Sequence, residues 1–236
     1  MGTQPVGTLI MSVMDEADET ARLARLQEYD YLFKRSVIKK NGDLPNVTIT
    51  LEKVSKEMDT LSVVDSEDHI SEAFLVLRMP QINLDIEQMK VLNVQSELLI
   101  NRERFYGLKD KAGLESVLAL TNQAAFGREY HPTLVDKAAH LWYSIATKQL
   151  FSNGNKRTAL LAARYFLNIN LVYFKIQNVS ELYNVSLNLA NGSMSVESLQ
   201  QYIRHNAVLD VELMRNSVGA KNWPAPTVRD NKLLLF

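Results

Sequence analysis

The sequence predicts an all-α fold: a helical bundle over residues 82–208, preceded by a smaller N-terminal extension of mixed or helical structure at 1–81 and followed by an irregular tail at 209–236. Three observations predict it. Apolar residues recur at helical spacing through most of the stretch that follows Pro80. Leu134 to Leu150 carries them at 134, 138, 141, 142, 145 and 146, a broad stripe suited to burial among other helices. Thr158 to Leu167 repeats Ala, Leu and Phe at the same period, with no Gly or Pro before Asn168.

Taken in order, Met1 to Ser12 is a small, Gly- and Thr-rich lead that reads as disordered or as partly a remnant of expression. Asp15 to Tyr31 reads as an amphipathic helix with acids at its start, where the dipole favours them. Asn41-Gly42-Asp43-Leu44-Pro45 signals a turn. Val47 to Leu51 alternates like a short strand, while Leu51 to Met58 is equally compatible with a helix. The segment from Ser36 to Met79 therefore reads either as a helix-turn-helix-like module or as a short α/β adaptor. Pro80 and the polar Gln81 to Asp85 mark the boundary. Beyond it, Leu84 to Leu99, Gly113 to Ala125 and Leu134 to Leu150 read as helices. Asn178 with Glu181 starts another through Leu189, and Ser195 with Glu197 a last one ending near His205. Trp142 and Tyr143 belong to the core on this reading.

Composition bounds the function. The 236 residues exceed the usual single-domain size, and an apolar fraction of 46% is enough for one ordinary core plus an extra element. A formal net charge of −1 argues against wholesale nucleic-acid binding. With no cysteine the chain has no disulfide or thiolate chemistry, which fits a reducing compartment. No apolar run approaches membrane-spanning length, so a cytoplasmic location is expected. DNA binding by the extension would need an exposed recognition helix, and Arg35, Lys39 and Lys40 are too few to make one.

The stretch Lys148-Gln149-Leu150-Phe151-Ser152-Asn153-Gly154-Asn155-Lys156-Arg157 carries the chemistry. It sets a permissive glycine and two cations at the start of the Thr158 helix. Two cations in a first turn oppose the macrodipole, at roughly 0.3–1 kcal/mol each, unless something negative sits opposite. Free N–H groups, Gly154, Lys156 and Arg157 together suit phosphate oxygens. A surface turn that happens to be basic is the plain alternative. Phe151 is read as an anchor fixing the loop to the core.

This stretch resembles the Fic/Doc family motif His-x-Phe-x-(Asp/Glu)-(Gly/Ala)-Asn-(Gly/Lys)-Arg, with Phe151, Gly154, Asn155, Lys156 and Arg157 matching. Lys156 resembles the Doc, or death-on-curing, branch. Phe105 to Asp110 with Gly113 to Ser116, Gln123 to Gly127 with His131-Pro132, and Ala190 to Ser193 with Val196 to Leu199 extend the similarity over roughly 82–207. The resemblance implies a toxin of a toxin–antitoxin module that transfers a phosphate or nucleotidyl group from ATP, with Mg2+, to a protein hydroxyl. It further implies a small antitoxin as partner and translation elongation factor Tu as target. On that resemblance Gly154, Asn155, Lys156 and Arg157 bind phosphate, and Arg157 also stabilises the transferred group.

Two positions depart from the motif. Gln149 stands where the family has its histidine, and Asn153 where many members have the acid that helps hold magnesium. A neutral amide has no proton affinity near neutrality, and losing a positioned base removes about two to four orders of magnitude of rate. Asn153 adds no charge to a metal site, although it could orient a metal-bound water. Gln149 is compatible with a natural loss of activity, a different base or a deliberate substitution. Of the histidines, His131 is the best rescue candidate, and His140 reads as a helix-face residue. The rival reading is a catalytically inactive protein that keeps the fold and uses the cradle to bind a nucleotide or a partner.

Overall fold

A computed structural model of the chain describes residues 4–13, 18–38, 46–98, 105–175, 179–211 and 213–214. It corrects the all-α expectation. Seven α-helices are joined by eight strands among the described residues, four of them in one sheet. The Asn41 to Pro45 turn, Asn178 and most of the tail lie outside the described residues.

The lead, read as disordered or as an expression remnant, instead contributes β1 (Gly7–Val13). β2 (Thr48–Lys53), β3 (Met58–Val64) and β4 (Ile70–Pro80) form an antiparallel meander. β1 joins it in parallel on β4, giving the order β1-β4-β3-β2. Among the described residues there is neither a helix-turn-helix between 36 and 79 nor a helix over Leu51 to Met58. The β-branched alternation at Thr48-Ile49-Thr50-Leu51 decided the matter, with Ile49 and Leu51 turned inward and the threonines to solvent. Above the sheet lies α1 (Glu19–Phe33), capped by Asp18 and continued by a π-helical turn at Lys34–Ile38. The Phe33 ring meets Phe74 of β4 edge-on at 5.3 Å.

The remaining helices are α2 (Ile86–Leu98), α3 (Lys111–Thr121), α4 (Leu134–Thr147), α5 (Asn155–Ile169), α6 (Val179–Ala190) and α7 (Val196–Asn206). Between α3 and α4 the expected helix ends early in a small hairpin of β5 (Ala124–Ala125) and β6 (Arg128–Glu129), turned by Phe126 and Gly127, both at positive φ. β7 (Val172–Phe174) pairs with β8 (Ala207–Leu209). At the centre α4 packs along α5, whose Ala159, Ala162 and Ala163 are fully buried and allow close approach. Trp142 of α4 is buried, donates from Nε1 to Ser186 Oγ of α6 at 2.9 Å and meets Phe174 and Tyr202 edge-on.

Asn170, just past α5, ties sheet to helices. Its Nδ2 donates to Ile82 O at 2.9 Å and Phe166 O at 2.8 Å, while its Oδ1 accepts from Ile82 N at 2.9 Å and Ser12 Oγ at 3.0 Å. α1 reaches the other side of the bundle. Buried Glu28 accepts from the Leu134 and Val135 N–H groups, both at 2.9 Å, at the start of α4. Arg25 pairs with Glu129 of the hairpin, which also receives the buried Lys137 ammonium at 3.3 Å. No helix among the described residues is long and apolar enough to cross a membrane.

Candidate functional site

The loop between α4 and α5 is closed by its own side chains and seated on its neighbours. α4 stops at Thr147, after which Lys148 and Gln149 are exposed and Leu150 and Phe151 turn into the core. Leu150 O accepts from the backbone N–H of Lys109 at 2.8 Å and of Asp110 at 3.0 Å, and Ser152 N donates to Gly107 O at 2.9 Å. The Phe151 ring, 1% exposed, anchors this crossing. Phe151 N donates to Asn155 Oδ1 at 2.8 Å and Asn155 Nδ2 returns to Phe151 O at 2.9 Å. The Asn155 amide is therefore engaged within the loop, leaving its backbone N–H as the group a ligand would meet.

α5 begins at Asn155, so Lys156 and Arg157 lie in its first turn, where the sequence reading put them and where N–H groups lack intrahelical partners. Gly154 is its N-cap, in the left-handed region at φ 74°. A Cβ there would overlap the Glu97 carboxylate, so the position excludes side chains by conformation and by space alike.

The feature that the sequence reading missed is the floor of this loop. Three polar residues of α2, Asn93, Ser96 and Glu97, are buried against it. Asn93 Nδ2 donates to Asn153 O at 2.9 Å and to Thr158 Oγ1 at 3.0 Å, and its Oδ1 accepts from Gly107 N at 3.0 Å. Ser96 Oγ lies 3.1 Å from Thr158 Oγ1. Glu97 Oε1 accepts from Arg157 Nη2 and its Oε2 accepts from Asn153 Nδ2 at 3.1 Å. The available signal was their spacing of i, i+3, i+4, which sets three polar groups on one helix face.

Each sequence-predicted residue can now be placed. Arg157 is three-quarters buried and its charge is matched by Glu97, yet its Nε is buried with no partner among the described residues. Lys156 is half-buried and makes no ion pair among them. Asn153 Oδ1 accepts from Gly154 N at 2.8 Å, so both ends of that amide are occupied. Gln149 Oε1 is 3.5 Å from Asn155 Nδ2, at the edge of hydrogen-bonding distance. His131 is stacked on His140 with 4.3 Å between ring centroids, and neither ring is hydrogen-bonded to a loop residue. Burial pushes the His140 ring down to about 4, helped by the His131 ring beside it, and lowers His131 as well.

The arrangement offers an anion one free ammonium and a helix start. It offers a metal ion little: the acid position is an amide, and the nearest carboxylate is fully buried and already paired on both oxygens.

Residues 84–167, which run from just before α2 through most of α5 and include this loop, match the model of the Fic/Doc family. This segment of the chain belongs to the Fic/Doc family. The chain is also similar to Toxin Doc of Mycolicibacterium smegmatis, 39% identical over 85 residues that cover 34% of this chain and 62% of that protein. It thus spans less than two thirds of the relative it matches, and β1 to β4 and α1 lie outside the matched family segment.

Proposed function

We propose that this chain is a death-on-curing-type toxin of a toxin–antitoxin module. Its loop binds ATP through Lys156, Arg157 and the first N–H groups of α5, and its transfer of a phosphate or nucleotidyl group to a protein hydroxyl is impaired by Gln149. The observation that carries the binding half is the Lys156 ammonium, which has no ion-pair partner among the described residues and stands in the first turn of α5. Similarity to Toxin Doc supports the toxin half and, with it, a small antitoxin as partner. Elongation factor Tu as target rests on the family resemblance alone. Phosphoryl transfer depends chiefly on positioning and electrostatics, so the loop retains part of what the reaction needs without a base.

A second reading, a catalytically inactive binding protein, is favoured by one observation: the family's base and acid positions are both neutral amides, one exposed and the other locked between Glu97 and Gly154. The experiment that separates them compares the wild-type chain with Gln149→His. Each is incubated with a cell lysate and ATP labelled on both the γ-phosphate and the adenylate. Label transferred by Gln149→His alone supports the impaired transferase, and the label gained identifies the group moved. No transfer by either, with ATP binding retained, would establish the binding protein.

A further inference from the structure

We infer that this loop takes its phosphate-bearing ligand without a divalent cation. The inference rests on the reading of the loop as a phosphate site and specifies how that site handles charge. A hard dication needs carboxylate oxygens that face the ligand. Position 153 supplies an amide whose orientation is dictated from below. Glu97 Oε2 accepts from Asn153 Nδ2 at 3.1 Å, and flipping the amide would set Oδ1 against a carboxylate oxygen. Asn153 Oδ1 is consequently held where Gly154 N–H donates to it at 2.8 Å. Glu97 itself is fully buried, with one oxygen on Arg157 and the other on Asn153. Any dication at this point would also stand beside the Arg157 guanidinium, a like charge in a partly desolvated setting.

The same geometry explains why position 153 is not acidic. An aspartate there would bring two carboxylates to about the separation now seen between Asn153 and Glu97, where both cannot ionise freely. A buried acid on α2 and an acid in the loop are alternatives, and this chain carries the first. With Glu97 neutralising Arg157, the charge left to meet phosphate is the Lys156 ammonium, assisted by the helix start.

Two titrations test this. Calorimetry of the full chain with ATP should give dissociation constants that agree within about threefold in magnesium and in EDTA, whereas a metal-bridged site loses about tenfold or more in EDTA. Loss of that size would overturn the inference while leaving the phosphate site standing. No binding in either medium would overturn the phosphate-site reading and the inference with it. The second titration uses Mn2+ alone, read by water-proton relaxation. Wild-type protein should leave the ion free, and Asn153→Asp should bind it, because that variant places in the loop the carboxylate that a hard dication needs. Mn2+ held by the wild-type chain and released by Asn153→Ala would contradict the inference, whether or not Asn153→Asp folds.

Discussion

Glu97 Oε2 accepts a hydrogen bond from Asn153 Nδ2 at 3.1 Å, and Glu97 Oε1 accepts from Arg157, so one buried carboxylate of α2 fixes two residues of the loop. Removing it in Glu97→Ala leaves the Arg157 guanidinium, three-quarters buried, without its counter-charge. Breaking such a pair from one side costs about 3 kcal/mol. Urea denaturation should show that loss in Glu97→Ala, and the double variant Glu97→Ala/Arg157→Ala should lose clearly less than the sum of the two single changes.

Gly154→Ala should be among the most damaging small substitutions in the chain. The φ of 74° already costs an alanine roughly 1–2 kcal/mol, and the new methyl must displace the Glu97 carboxylate. Thermal melts should register destabilisation beyond the conformational cost alone. ATP binding should weaken in parallel, since the carboxylate cannot move without moving Arg157 and Asn153.

Asn170→Ala tests how sheet and helices are joined. The substitution deletes both donors and the acceptor that hold Ile82, Phe166 and Ser12, leaving partly buried backbone groups of Ile82 unpaired. Unsatisfied buried groups cost about 1–3 kcal/mol each, and a loss of about 2–4 kcal/mol is expected in denaturant titrations. Hydrogen exchange should place the added opening at Ile82 and at β1.

Stability should depend on pH through two groups of opposite sign. Burial raises the Glu28 carboxyl to about 7 from an ordinary 4.5, against the two α4 N–H bonds that lower it. The folded state thus favours its protonated form, and that stabilisation is complete below about 4.5 and lost as pH rises through about 7. His140 is pushed down to about 4, so the fold favours its neutral ring. That contribution is present above an ordinary 6.5 and lost as pH falls toward 4. The two oppose each other between 4.5 and 6.5. Glu28→Gln should therefore show melting temperatures that rise with pH across this window, and His140→Gln melting temperatures that fall.

Much of the helical part was legible because its burial is one-sided and long. The stripe of Leu134, Ala138, Leu141, Trp142, Ile145 and Ala146 is the face that α4 turns into the core, buried except at the partly buried Leu134, and Ser195 caps α7 as its spacing implied. The sheet was not legible, because its strands draw their pairing from distant residues. Gly7 to Val13 has no local pattern strong enough to announce a strand and becomes one only by lying parallel to β4, 67 residues on at Gly7 and Phe74. Gly113 to Ala125 was read too long, since Ala124-Ala125 carries helix propensity but is paired with Arg128-Glu129. At the site, the loop residues were found by their motif. Glu97 was not, because a lone acid on an amphipathic helix is usually solvated, and only the approach of Asn153 and Arg157 reveals it as their partner.

The central claim is that the start of α5 receives a phosphate, and the most direct measurement is ATP affinity by calorimetry in wild-type protein, Lys156→Ala and the control Lys90→Ala. Lys156 has no partner among the described residues, so its removal disturbs no internal bond, whereas Lys90 pairs with Glu87 on the exposed face of α2. Loss of one charge-assisted contact predicts about a tenfold or greater weakening in Lys156→Ala with Lys90→Ala unchanged. Equal affinity for ATP in all three proteins would contradict the account.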